Sequence, residues 1–207
     1  MKPIPFLITA MILAMAGCSP NPGSTTGVPP CCRPALPSSR PLTDRSIYHL
    51  ESVWTSDAGK TLPLSHFRGR TQVVALFFTH CEFACPILVN DLQRIEAALP
   101  AEAREKVDFL LVSIDPTRDT PKRLREFRAE KSLGLQHWTL LTGAEDDVRE
   151  LAALLGVNYQ RDARGQYAHS NLITVLGPDG EVVSQLKGLN QSIDELVRQI
   201  VTTHSQP

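Results

Sequence analysis

Thr71-Gln72-Val73-Val74-Ala75-Leu76-Phe77-Phe78-Thr79 runs directly into His80-Cys81-Glu82-Phe83-Ala84-Cys85-Pro86. The first half contains an unbroken apolar run, Val73 to Phe78. Such a run predicts a strand buried on both faces, as in the middle of a parallel sheet. The second half carries two cysteines four residues apart. Beyond it, Leu88, Leu92, Ile95 and Leu99 recur at spacings of four, three and four, which predicts a helix from Pro86 to Leu99. The cysteines therefore sit where a central strand hands over to a helix. Ligands of open α/β sheets bind outside the carboxyl ends of strands. A helix N-terminus also favours thiolate over thiol. Both effects point to reactive or metal-binding sulfurs rather than core cysteines.

The flanking segments repeat this alternation. Val107 to Ile114 reads as a second buried strand, followed by a loop, Asp115-Pro116-Thr117-Arg118-Asp119. Thr120-Pro121 supplies a cap and a first-turn proline for another helix. Trp138 to Leu141 is a short strand. Val148, Leu151, Ala152 and Leu155 mark a helix closed by Gly156. Upstream, Ser52–Thr55 and Thr61–Leu64 flank Asp57-Ala58-Gly59-Lys60, the pattern of a hairpin. Downstream, Leu172–Leu176 and Glu181–Leu186 flank Gly177-Pro178-Asp179-Gly180. Ser192-Ile193-Asp194-Glu195 then has capping-box form and opens a last helix with Ile193, Leu196, Val197, Ile200 and Val201 inward. This order predicts an α/β fold: a thioredoxin-like α/β sandwich with a mixed central sheet and an N-terminal β-hairpin.

The N-terminal quarter has another character. Met1-Lys2 precedes an apolar run from Ile4 to Ala16, ending in Ala14-Met15-Ala16-Gly17-Cys18. The run is shorter than the ~20 residues that span a bilayer, and it reads as a secretory signal. Its ending resembles a bacterial lipoprotein box, which implies cleavage before Cys18 and lipidation of that cysteine. Residues 1–17 are thus expected to be a lipoprotein-type signal peptide. Residues 18–46 form a Pro/Ser/Thr-rich tether, with seven of the sixteen prolines lying between Cys18 and Pro41. Residues 47–207 form the folded domain. The expected location is the bacterial cell envelope, lipid-anchored to a membrane with the domain in the periplasm or another extracytoplasmic space. Cys31-Cys32 lies in the tether with no histidine nearby and reads as incidental or as pairing with another molecule.

Composition narrows the function. The 207 residues carry 21 basic and 22 acidic side chains, which excludes a strongly basic nucleic-acid binder. Five cysteines are too few for a disulfide-stapled scaffold of this size.

Cys81-x-x-x-Cys85-Pro86 after Phe77-Phe78-Thr79, then Val112-Ser113-Ile114-Asp115-Pro116-Thr117-Arg118-Asp119-Thr120-Pro121, then His169-Ser170-Asn171 before a strand and its Gly-Pro-Asp-Gly turn, resembles the Sco/SenC family of copper chaperones. Leu64-Ser65-His66-Phe67-Arg68-Gly69-Arg70 resembles the family's approach to its first buried strand. The resemblance spans residues 48 to 202. It departs at Glu82-Phe83, where the family often has Pro-Asp, and at Gly177, where it commonly has Asp. The resemblance implies one copper, Cu(I) or Cu(II), held by Cys81, Cys85 and His169. It further implies delivery to the dinuclear copper site of cytochrome c oxidase subunit II by a monomer. Soft thiolates select Cu(I), and imidazole suits both oxidation states. His80, beside Cys81, is expected to point away or to tune the pocket. The remaining histidines read as surface or packing residues. Asp115 and Asp119 read equally as stabilisers of their loop or as partner contacts.

Two other functions compete. Cys81 and Cys85 can form a redox-active pair, cycling between dithiol and disulfide, in a thiol–disulfide oxidoreductase acting on copper-ligand cysteines or in redox sensing. His169-Ser170-Asn171 stands where thioredoxins place a cis-proline, which favours metal over general disulfide exchange. A peroxidase-like enzyme would need an arginine beside Thr79 and a cysteine.

Overall fold

A computed structural model describes residues 41–163 and 167–203. The expected signal segment and the tether up to residue 40, with Cys18, Cys31 and Cys32, lie outside the described residues. Among the described residues no helix is long and apolar enough to cross a membrane.

A 3₁₀ turn, Ile47–His49, opens the domain, with Ser46 accepting from the Tyr48 N–H. The hairpin follows as β1 (Val53–Ser56) and β2 (Thr61–Pro63). Every residue of β3 (Thr71–Phe77) is buried, as its apolar run predicts. Then come α1 (Ala84–Ala98), α2 (Ala101–Arg104), β4 (Val107–Ser113) and α3 (Pro121–Glu130). The chain continues through β5 (Trp138–Gly143), α4 (Glu145–Leu155), β6 (Tyr159–Arg161) and β7 (Tyr167–His169). It closes with β8 (Leu172–Leu176), β9 (Val182–Lys187) and α5 (Asp194–Thr203).

Seven strands form one sheet in the order β2-β1-β5-β4-β3-β8-β9. β3 runs parallel to β4, and β4 to β5. β8 pairs antiparallel with β3, and β1 with β5. The sheet is mixed, and with its helices it makes the thioredoxin-like sandwich the sequence predicts. β6 and β7 form a separate two-stranded ribbon. The core centres on β3, β4 and β8, with Phe77, Phe109 and Leu111 fully enclosed. Burying side chains of this size contributes about 1.5–3 kcal/mol each.

Local chemistry sets several boundaries. The Thr120 side chain accepts from the Arg123 N–H and Pro121 holds the first helical position, as expected. Gly156 ends α4 with φ +72°, a left-handed conformation that glycine adopts without strain. The hairpin turn is anchored by a buried ion pair: Arg128 Nε and Nη2 reach the Asp57 carboxylate at 2.7 and 3.0 Å. Leu140 N–H donates to the same carboxylate at 3.2 Å, so the buried charge is fully hydrogen-bonded.

Two sequence expectations need correction. α1 begins at Ala84 rather than Pro86, so Cys85 belongs to its first turn. The expected capping box of α5 does not form, because the Glu195 oxygens bond to Arg198 and Gln199 instead.

Candidate metal centre

β3 ends at Phe77, and the six residues before α1 form a tight turn. Cys81 N–H donates back to the Phe78 carbonyl at 3.3 Å. Thr79 is clamped from below: its N–H donates to Asp119 Oδ2 at 3.1 Å and its hydroxyl to Oδ1 at 2.5 Å. Ser113, at the end of β4, donates to Oδ2 of the same carboxylate at 2.6 Å. Asp119 is completely buried. It ties the carboxyl ends of two neighbouring parallel strands together and thereby holds the cysteine turn in place. Asp115 is also completely buried and takes a hydrogen bond from Arg118. Both aspartates therefore stabilise the loop from inside, which leaves no surface for partner contact.

The two cysteines are free thiols with different surroundings. Cys85 is fully buried, whereas Cys81 is half-buried. Cys81 Sγ accepts the Cys85 N–H at 3.2 Å, doing for α1 what a capping oxygen usually does. Burial pushes the Cys85 thiol well above its ordinary range, with a backbone hydrogen bond involving Phe78 opposing the shift.

His169 arrives from the ribbon. It pairs with Tyr159 across β6–β7, and Ser170 N–H bonds the Asn158 carbonyl at 2.8 Å. Its ring stands edge-on to Phe78, with centroids 6.0 Å apart, and Tyr167 packs on the same phenyl at 5.5 Å. Nδ1 lies 3.2 Å from the Ser170 carbonyl, a contact that selects the Nδ1–H tautomer and leaves Nε2 bare. Nε2 points at Cys85 Sγ, 3.6 Å away. Burial lowers the His169 pKa, which keeps the ring neutral and fit to ligate.

The spacing suits a metal. Bonds of about 2.3 Å to sulfur and about 2.0 Å to imidazole, at tetrahedral angles, place the donor atoms about 3.5 Å apart. The Cys85–His169 pair already meets this. As placed, no group of three or more His, Cys, Asp or Glu among the described residues stands ready to hold an ion. Cys81 Sγ accepts the Cys85 N–H and also interacts with the Cys85 thiol, so it borders the same pair. Two sulfurs and one imidazole make a soft donor set that suits copper.

Other residues are placed plainly. His80 Nδ1 lies 3.1 Å from the Thr79 hydroxyl and 3.9 Å from Asp119, so it faces the clamp and not the sulfurs. His66 packs against Phe67, and His137 lies 3.5 Å from Asp108. Sequence reasoning missed the Asp119–Thr79 clamp and the arginine on it. Arg123 Nε donates to Thr79 Oγ1 at 3.1 Å, while its Nη1 bonds Glu130 at 2.7 Å. This arginine is engaged by a carboxylate, which counts against the peroxidase-like reading.

The fold and the turn define a thioredoxin-like domain with a dithiol and a histidine at the carboxyl ends of its parallel strands. The SCO1/SenC family model matches residues 48–205, and the chain belongs to that family. The SCO1 homologue of Bacillus subtilis is 27% identical over 164 residues, covering 77% of this chain and 84% of that protein. The crystal structure of a SCO1/SenC family lipoprotein from Bacillus anthracis superposes with TM-score 0.68 at 23% identity, over 75% of this chain and 94% of that one. Yeast Sco1 with copper bound superposes with TM-score 0.63 at 22% identity, over 75% and 87% of the two chains.

Proposed function

We propose that this chain is a metallochaperone that carries one copper ion on Cys81, Cys85 and His169. Its recipient is the dinuclear copper site of cytochrome c oxidase subunit II. Cys18 carries the lipid anchor, residues 18–46 form the tether, and the domain works in the extracytoplasmic space. The observation that carries this reading is the approach of His169 Nε2 to Cys85 Sγ at 3.6 Å, with Cys81, half-buried, holding the Cys85 N–H through its sulfur. Family membership supports copper as the cargo, and the lipoprotein description of the Bacillus anthracis relative supports the anchor.

In this reading Cys85 and His169 are the inner ligands and Cys81 is the outer one. Copper supplies no redox chemistry to the protein; it is the substrate passed on. An anaerobic Cu(I) competition titration of the reduced chain tests the assignment. One tightly bound copper per chain, lost in Cys81→Ala and in Cys85→Ala, is the expected result. Unchanged stoichiometry in either variant overturns it.

A second reading rests on both thiols being free beside a helix N-terminus. The same pair can reduce a partner disulfide, ending as the Cys81–Cys85 disulfide while two electrons and two protons pass to the partner's sulfurs. A folded, reduced chain that binds no copper would favour this reading, and the dithiol potential would become the quantity to measure.

A further inference from the structure

Phe83 sits between the two cysteines and is 80% exposed. It occupies the N-cap position of α1, where Ser, Thr, Asp or Asn side chains stabilise a helix. No side-chain cap bond forms there. The ring of Phe83 is not buried, and the cap role at this helix start falls to the Cys81 sulfur instead. The position of Phe83 is informative. With Phe78, Ala84 and Tyr167 it lines the hollow that opens onto Cys81, with His80 and Glu82 at the rim. Leu135 is equally exposed, at 86%, but precedes β5 and so lies at the opposite end of the parallel strands.

We propose that Phe83 is a specificity-determining residue for copper transfer, inserting its ring into an apolar pocket beside the copper-ligand cysteines of the acceptor protein. The inference rests on the copper-delivery reading. Cu(I) passes by ligand exchange: an acceptor thiol loses its proton to solvent and bonds the ion, a donor sulfur releases it and takes up a proton, and no electron moves. Both sulfurs must bond the same ion, so the acceptor surface has to close over Cys81. An exposed ring flanking Cys81 cannot avoid that surface. A partner with an apolar recess there gains the burial that Phe83 lacks in the free chain.

The test uses the Cu(I)-loaded chain and, as acceptor, the apo copper domain of subunit II from the same organism's oxidase, mixed anaerobically. Phe83→Ser is expected to slow transfer roughly tenfold or more, whereas Phe83→Leu stays within about threefold of the parent, the scale of a truncated anchor residue. Thermal stability of Phe83→Ser is expected to stay close to the parent's, because the ring is exposed and the Cys85 N–H is already taken by Cys81. Equal transfer rates for Phe83→Ser and the parent overturn the inference and leave the copper reading intact. Loss of Cu(I) affinity in Phe83→Ser also overturns it, by making the residue part of the ligand geometry. No transfer from a parent chain that binds Cu(I) overturns both the subunit II target and the role of Phe83.

Discussion

The bare Nε2 of His169 lies 3.6 Å from the Sγ of Cys85, though 84 positions separate the two in the chain. Its other nitrogen is engaged with the Ser170 carbonyl, so the ring is oriented before any ion arrives. His169→Ala should weaken Cu(II) binding about a hundredfold and shift its absorption and EPR signals. Cu(I) should suffer far less, because two thiolates satisfy it in linear coordination. Equal losses for both ions, measured by competition titration, would contradict this division of labour.

If Cys85 ligates copper as proposed, uptake should be pH-dependent, since a ligating sulfur is a thiolate and burial holds the Cys85 proton on well past the ordinary value of 9.0. Across neutral pH, apparent Cu(I) affinity should rise up to about tenfold per unit for each proton released. A flat affinity profile between pH 6 and 8 would show that no thiol proton leaves on binding.

The same two groups bound the pH range of the apo fold. The folded state prefers neutral Cys85, so its contribution is whole below 9.0 and is lost as pH rises beyond that. The folded state also prefers neutral His169, whose pKa burial lowers from 6.5; its contribution is whole above 6.5 and is lost as pH falls through the depressed value. Denaturant titrations across pH should show both limbs. Cys85→Ala should flatten the alkaline one and His169→Ala the acid one.

Asp119→Ala removes the acceptor for Thr79 N–H, Thr79 Oγ1 and Ser113 Oγ at a fully buried position. Stranding these donors should cost roughly 3 kcal/mol or more. Copper affinity should fall with it, as the clamp fixes the turn that carries Cys81. Asp119→Asn, which keeps one acceptor oxygen, should lie between.

Gly180 has φ +79°, and a Cβ there would come within 2.6 Å of the Tyr48 ring and 2.9 Å of Ser46 Oγ. Gly180→Ala should lose roughly 2–4 kcal/mol from strain and overpacking. Copper stoichiometry should be unchanged at low temperature, since the β8–β9 turn lies far along the strands from the sulfurs. An unchanged melting temperature would refute the packing argument.

Much of this architecture was legible in local pattern. The apolar run of β3, the Thr120-Pro121 start of α3 and the Gly156 stop of α4 each carry their own signal, independent of distant residues. The start of α1 did not, because a cysteine sulfur takes the N–H that a proline-first helix would leave uncapped. The β6–β7 ribbon was missed for a different reason: strands of three residues offer no period to read. The buried roles of Asp115 and Asp119 were equally hidden, since a carboxylate in a loop looks the same in sequence whether it faces water or Thr79. His169 entered only through its motif; nothing about its neighbours in the chain places it beside Cys85.

The ribbon that presents His169 is not hydrogen-bonded into the seven-stranded sheet that supports the cysteines. Two-stranded ribbons are marginal on their own, so this part should open at a small fraction of the free energy that unfolds the core. In the proposed copper-bound form, an ion bridging Cys85 and His169 would act as a rivet across a mechanical seam. Loading should slow amide exchange at Tyr159 and Tyr167 while leaving β3 and β4 untouched, and the cargo can leave by unfastening one side of the seam without disturbing the sheet.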